Sequence, residues 1–223
     1  MIEHVYRRAC LAMPSEHIYI ASGDTEILSN MSSLTSNVSR SAKEHLHGMS
    51  RVAEAVESLD YSHTIILQAD EILIDPSHLK ALIEKIQNSN EGNCYNLITN
   101  IRDDLQLVDK NVVKCLVDKN LYIYDFFRTS IKYKSGELVQ KIMGTLALNK
   151  QSLMDLVKIP DSENQETLSI EQLKIIENGY RLRGVYVDSS YPSINTTKEI
   201  QLVQDYIEKS NRQKQILATY VKS

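Results

Sequence analysis

The sequence predicts an α/β protein, and two observations carry that expectation. Short β-branched runs are separated by longer amphipathic ones, and the first readable succession is strand, helix, strand. His17 to Ala21 (HIYIA) and Thr64 to Gln68 (TIILQ) are compact, nearly continuous apolar runs, the pattern of strands covered on both faces. Between them, Arg51 to Leu59 (RVAEAVESL) puts Val52, Ala55, Val56 and Leu59 at helical spacing. A polar turn, Ala69 to Asp75, follows the second strand. Asp75-Pro76-Ser77 then opens a helix through Ile86, because Asp75 can accept from free amides and Pro76 suits a first helical position. Its apolar stripe is Leu79, Leu82, Ile83 and Ile86. Further strands are expected at Val112 to Val117, Leu121 to Phe126, Thr145 to Leu148 and Arg183 to Val187. A helix is expected over Ser169 to Asn178, stopped by a left-handed Gly179, and another from about Thr197 into the tail. The polar stretch Asp161 to Thr167 (DSENQET) reads as a connection. No repeat or linker divides the chain, so residues 1–223 are read as a single domain.

Composition narrows the function classes. Of 223 residues, 42% are hydrophobic and 24% charged, enough apolar content to bury a core and too much for general disorder. The 25 basic residues against 29 acidic ones give a net charge of −4, which argues against nucleic acid as the main partner, since phosphate binding by counterion release wants a basic face. No run approaches the ~20 apolar residues of a membrane span, and MIEHVYRRAC carries charge where a signal peptide needs an apolar run. No membrane association and a cytoplasmic location are therefore expected. Cys10, Cys94 and Cys115 lack the paired spacing of zinc or redox sites and read as free thiols.

Three constellations could carry chemistry. Gln68-Ala69-Asp70-Glu71 falls where a buried strand ends, the place where open α/β sheets bind ligands. An acid there can hold a hard cation such as Mg²⁺, although turns are also acidic simply because they are solvated. In His45-Leu46-His47-Gly48-Met49-Ser50-Arg51, a glycine and free amides precede a helix, and Arg51 can add a bidentate phosphate contact. The two histidines there read more simply as solvated loop residues than as metal ligands. In Glu166 to Gly179, Glu171 and Gln172 can present polar groups while Leu173 and Ile176 pack inward. There is no G-x-S-x-G, G-x-x-x-x-G-K, G-x-G-x-x-G or H-E-x-x-H, which leaves hydrolase triads and dinucleotide binding without support.

Taken in order, MIEHVYRRA, IYIASGD (Ile18 to Asp24), HLHGMSRVAEA, ILQADEILIDP (Ile66 to Pro76) and EQLKIIENGY (Glu171 to Tyr180) resemble signatures of the bacterial 3-deoxy-manno-octulosonate (Kdo) cytidylyltransferases, or CMP-Kdo synthetases, from one end of the chain to the other. The resemblance implies a three-layer, mostly parallel sheet of the nucleotide-diphosphosugar transferase (Rossmann-like) type. It implies transfer of CMP from CTP to an acidic sugar, with release of pyrophosphate, for bacterial surface polysaccharide. By the same resemblance Asp70 and Arg51 are catalytic, and Asp70 with Asn195 holds Mg²⁺. His45, Gly48 and Gln68 line the nucleotide, Glu171, Gln172 and Arg128 lie toward the sugar, and the protein is a homodimer.

This chain departs from the family pattern in four places. It begins after the family's first strand and basic, serine-containing phosphate loop, so weak or absent CTP binding is expected if Met1 is the native start. Ser193-Ile194-Asn195-Thr196 stands where the family has Val-Asp-Thr, so Asn195 offers a neutral carbonyl for an aspartate. Ile142-Met143-Gly144 replaces His-Ile-Gly, removing a sugar-contacting imidazole at Ile142. His47, Met49 and Ser50 replace Ser, Thr and an acid, and extra residues lie between Thr35 and His45. The rival expectations are a cytidylyltransferase for another sugar acid and a non-catalytic binding or regulatory remnant of the fold.

Overall fold

In the computed structural model, residues 1–89, 93–129, 137–194 and 196–221 are described. They fall into two compact units by the density of their internal contacts. One comprises Met1–Glu44, Leu67–Ala81 and Ser190–Ser223, and the other His45–Ile66 and Leu82–Ser189. The α/β class expected from the alternation is what the structure shows.

The first unit opens with helix α1 (Ile2–Cys10), which buries Val5, Tyr6 and Ala9 on one face and places Arg7 and Arg8 in its last turn, where they complement the helix dipole. Strand β1 (Ile20–Ser22) pairs in parallel with β2 (Val38–Arg40), Ile20 opposite Val38, through helix α2 (Thr25–Ser32). Asp24 caps α2 by accepting from the amides of Glu26 and Ile27. Tyr6, Ile20 and Met31 form the local core. The strand expected over His17 to Ala21 thus starts later, because Ser15–His17 closes as a 3-10 turn after Pro14. Residues 68–75, the start of helix α4 (Pro76–Gln87), and helices α9 (Glu199–Lys209) and α10 (Asn211–Val221) complete the unit. The single tail helix expected from Thr197 is two, broken at Ser210, whose backbone is extended.

The second unit holds a six-stranded mixed sheet in the order β3 (His63–Leu67), β7 (Leu138–Asn149), β4 (Cys94–Asn100), β8 (Leu182–Tyr186), β6 (Tyr122–Phe127), β5 (Lys114–Val117). The expected parallel pairing is seen in β4–β8. Antiparallel pairings enter through β7 and the β5–β6 hairpin. Because β5 also pairs with the first residues of β7, strands β7, β4, β8, β6 and β5 form a closed ring of pairings. Helices α3 (Gly48–Val56), α5 (Asp104–Val108), α6 (Lys150–Leu156), α7 (Glu163–Leu168) and α8 (Leu173–Glu177) belong to this unit. Its core runs through Met49, Ala53, Ile66, Ile98, Ile142, Leu146, Leu173 and Ile175.

Two readings change here. Asp161 to Thr167 is no plain connection, because Ser162 caps α7 by accepting from the Gln165 amide. The helix expected over Ser169 to Asn178 is correspondingly short, since Ser169 takes a left-handed conformation (φ 50°) that ends α7. Gly179 is left-handed as expected, with φ 77°. No helix among the described residues is long and apolar enough to cross a membrane.

Candidate functional site

The candidate residues lie in two groups, one in each unit. In the first unit, Gln68 is exposed at the end of β3 and Asp70 is partly buried in the turn that follows. The Asp70 main-chain oxygen accepts from the amides of Ile72 (2.8 Å) and Ile194 (3.2 Å). Burial pushes the Asp70 carboxyl above its ordinary range, helped by the negative charge of Glu199 and opposed only by backbone amides; no cation is among these influences. A desolvated carboxylate without a cationic counterpart among the described residues suits a hard divalent ion whose remaining shell comes from phosphate and water. Among the described residues no three His, Cys, Asp or Glu side chains converge into a protein-only metal cage. Mg²⁺ does not need one, so the donor set fits. Asn195, the expected second ligand, lies outside the described residues.

In the second unit, the segment His45 to Arg51 is folded by its own side chains. The His45 ring, only 2% exposed, meets the Ser50 hydroxyl through Nδ1 (3.1 Å) and the Glu54 carboxylate through Nε2. Ser50 Oγ donates to the His47 carbonyl (3.0 Å). The Arg51 guanidinium donates from Nη2 to the His45 carbonyl at 3.4 Å, and its buried Nε–H has no partner among the described residues. Gly48 begins α3, and the next amide, of Met49, donates to Glu171 Oε1 at 2.6 Å. A helix N-terminus that the chain opens for an anion thus already holds one carboxylate of its own. A Cβ at Gly48 would sit 3.6 Å from Glu171 Oε2, an ordinary contact, so crowding does not demand glycine there.

Glu171 is raised above the usual carboxylate range by burial, against the Met49 amide and the positive charges of His47 and Lys174. His47 Nε2 meets Asp161 at 2.7 Å, and Lys174 pairs with the same aspartate while donating to the Ile159 carbonyl. A small void of about 30 Å³ lies among His47, Met49, Ser50, Gln165, Glu171 and Lys174. Gln172 donates to Asn96 Oδ1 (3.2 Å), and Asn96 is itself held by donation to the carbonyls of Leu97 and Met143. The structure therefore brings His45, Gly48, Arg51 and Glu171 into one network, with Gln172 anchored separately to β4.

Arg128 stands apart from that network. Its guanidinium donates to the carbonyls of Lys110 (3.0 Å), Leu168 and Ser169 (2.8 Å), bracing two backbone segments. A cavity of about 320 Å³, between Tyr124, Phe126, Leu168 and Glu177, contains none of the candidates. Ile142, where an imidazole was expected to be lost, is buried in the sheet core opposite Ile98. Sequence reasoning missed Glu54 and Asp161. Glu54 carries a readable signal, being on the same helix as Arg51, three residues on. Asp161 carries none, since it lies 114 residues from the His47 it holds.

The candidates are thus a strand-end carboxylate in one unit, and a helix start, an arginine and partly buried acids in the other, on an α/β fold shared with solved nucleotidyltransferases. The fold is shared with a CMP:2-keto-3-deoxy-manno-octonic acid synthetase solved in complex with CTP, at TM-score 0.85 and 21% identity over 93% of this chain and 87% of that one. It is shared more distantly with a putative glucose-1-phosphate thymidylyltransferase from Bacillus anthracis, at TM-score 0.57 and 13% identity over 83% of this chain and 72% of that one. The chain belongs to the cytidylyltransferase family, whose model matches residues 1–188. Among its relatives, the 8-amino-3,8-dideoxy-manno-octulosonate cytidylyltransferase of Shewanella pealeana is 30% identical over 92% of this chain and 86% of its own. The 3-deoxy-manno-octulosonate cytidylyltransferase of Chlorobium limicola is 27% identical over 94% of this chain and 87% of its own.

Proposed function

We propose that this chain transfers CMP from CTP to a sugar acid of the 3-deoxy-octulosonate class. In that reaction the anomeric hydroxyl oxygen bonds to the α-phosphorus, the bond to the bridging oxygen breaks, pyrophosphate leaves, and the hydroxyl proton goes to solvent or a nearby base. Membership of the cytidylyltransferase family supports the reaction class, and the observation that carries the residue assignment is Asp70, a desolvated strand-end carboxylate on which no cation acts among the described residues. Asp70 would hold Mg²⁺, which when bound neutralises triphosphate charge. The chain's own work is then positioning. Arg51, with its unused buried N–H, offers an anionic oxygen a charge-assisted bond, Gly48 lets the start of α3 approach the nucleotide, and the exposed Gln68 amide can read polar nucleotide atoms. Glu171 and Gln172 are the polar pair assigned to sugar hydroxyls, His45 shapes the nucleotide segment, and Arg128 is assigned to the sugar side, where its guanidinium braces the Leu168 and Ser169 main chain just before Glu171. A homodimer in the cytoplasm, acting as one catalytic domain over 1–223, completes the reading. The family match running unbroken through segments of both units supports that domain assignment.

One observation favours an octulosonate other than Kdo. An apolar side chain fills the sheet core at Ile142, so any contact that an imidazole there would make to the sugar is gone. Pyrophosphate release from CTP and Mg²⁺ is therefore best measured against a panel containing both Kdo and its 8-amino analogue. Turnover is expected with at least one of them. Asp70→Ala is expected to lower turnover by about a hundredfold or more while the protein stays folded, because that side chain is a desolvated charge rather than a packing element. Undiminished pyrophosphate release in Asp70→Ala would overturn its role, and no release by the parent with any sugar acid would favour a non-catalytic remnant.

A further inference from the structure

The turn that carries Asp70 is fixed almost atom by atom from the two chain ends of its own unit. Beyond the Ile194 amide on the Asp70 carbonyl (3.2 Å), Gln213 Nε2 donates to the Leu73 carbonyl (3.1 Å) and Arg8 Nη1 to the Ile74 carbonyl (3.1 Å). Arg212 grips the Asp75 carboxylate with two parallel bonds, Nε to Oδ2 and Nη2 to Oδ1, both 2.7 Å, and the Tyr191 hydroxyl approaches Oδ2 at 3.4 Å. Gln213 is fully buried, Arg8 is 1% exposed and Asp75 2%. A buried glutamine and a buried arginine spent on the carbonyls of a single turn are costly ways merely to fill space, since each must be desolvated to reach its acceptor. Such bonds define where a backbone sits. The segment supplying most of them starts past residue 188, where the match to the family model ends.

We propose that Ile194, Arg212 and Gln213, with Arg8 from α1, are positioning residues that lock residues 70–75 and thereby aim the Asp70 carboxylate at the cation. This inference rests on the reading of Asp70 as the metal carboxylate and assigns a role in the reaction to the C-terminal segment. Arg212 is the practical handle, because its side chain is 53% exposed and truncating it opens no cavity. Only its planar fork makes both bonds to Asp75.

The test uses this chain with Mn²⁺ as a spectroscopic stand-in for Mg²⁺. Mn²⁺ affinity in the presence of CTP is measured by electron paramagnetic resonance, and amide hydrogen exchange reports on Ile72 and Ile74. In Arg212→Gln and Gln213→Met, exchange at Ile72 and Ile74 is expected to quicken, and Mn²⁺ affinity to weaken about tenfold, with Arg212→Lys falling between Arg212→Gln and the parent. Should Gln213→Met not fold, Arg212→Gln decides alone. A faster-exchanging turn with parental Mn²⁺ affinity, or an unchanged turn, would overturn the positioning role. Asp70→Ala separates the two ideas: if it binds Mn²⁺ as the parent does, the Asp70 assignment fails and this inference with it. If Asp70→Ala loses Mn²⁺ and Arg212→Gln does not, only the positioning role is lost.

Discussion

Lys114 shows how much of this molecule is decided by single buried polar groups. Its side chain is fully buried, and its ammonium donates to the carbonyls of Asp109 (2.6 Å), Val112 (2.9 Å) and Arg128. Burial lowers its pKa, and the charge is held against desolvation by the three carbonyl dipoles and the negative charge of Asp109. The Arg128 it holds braces Lys110, Leu168 and Ser169 in turn. Lys114→Met keeps the aliphatic length but leaves three carbonyls without their donor. It is expected to cost about 2–4 kcal/mol of stability, measurable by urea unfolding. A loss below about 0.5 kcal/mol would mean that water replaces the ammonium. Residues of this kind are where sequence reading stops. Lys114 looks like any strand lysine, and its partners are carbonyls, which carry no residue identity. The segments carrying Asp70, Gly48 and Glu171 could be singled out as candidates because each is contiguous, whereas the partner of His47, Asp161, is set only by the tertiary fold.

At the scale of elements, β4 is a strand, like the short β2, that periodicity did not reveal. Its residues Cys94–Thr99 are buried, yet Asn96 interrupts the apolar run, and only the carbonyls of Leu97 and Met143 and the amide of Gln172 make that asparagine tolerable inside a sheet. The strands at 64–67 and 183–186 and the helices at 51–56 and 76–86 were legible, because an uninterrupted apolar run or stripe is itself the physical cause of the element. The close fit of β4 and β8 gives a test. At Gly184 an added Cβ would collide with Cδ1 of Ile98 and come within 3.2 Å of the Leu121 carbonyl oxygen, whose bond from the Gly184 amide is 2.7 Å long. Gly184→Ala is therefore expected to destabilise by about 1–3 kcal/mol, as overpacking of a dense core does. Adding Ile98→Val removes the colliding Cδ1 and should restore a large part of the loss. A double variant no more stable than Gly184→Ala would place the strain at the Leu121 carbonyl instead.

For the molecule as a whole, the buried acids divide by role, and the division fixes how stability responds to pH. Burial pushes Asp75 up, but the paired bonds from Arg212 and those from Ser77 outweigh it and hold the carboxyl well below the usual range. Burial pushes Asp161 up as well, and the bonds and charges of Lys174 and His47 together outweigh it. A depressed carboxylate stabilises the fold fully above its unfolded value, near about pH 3.9, and loses that contribution as pH falls through the folded one. Glu171 has the opposite sign, as does Asp70: burial raises it, so the folded state favours the protonated form, and stability declines as pH rises from about 4.3 through the folded value. The acids held by Arg212, or by Lys174 and His47, thus favour their charged form in the fold, whereas burial disfavours charge on Asp70 and Glu171, the two acids proposed to face ligands. Thermal melts of the ligand-free protein should peak near about pH 5 and fall toward about pH 7.5, with a steeper fall below about pH 4. Glu171→Gln, whose amide oxygen can still accept the Met49 N–H, removes one strained charge and should flatten the neutral-side decline. At about pH 7.5 it should raise the melting temperature by about 2–4 °C, the shift that roughly 1 kcal/mol produces in a chain of this size. Equal melting temperatures for the parent at the two pH values, or a Glu171→Gln variant that melts lower at neutral pH, would show that the Glu171 charge is already compensated within the fold.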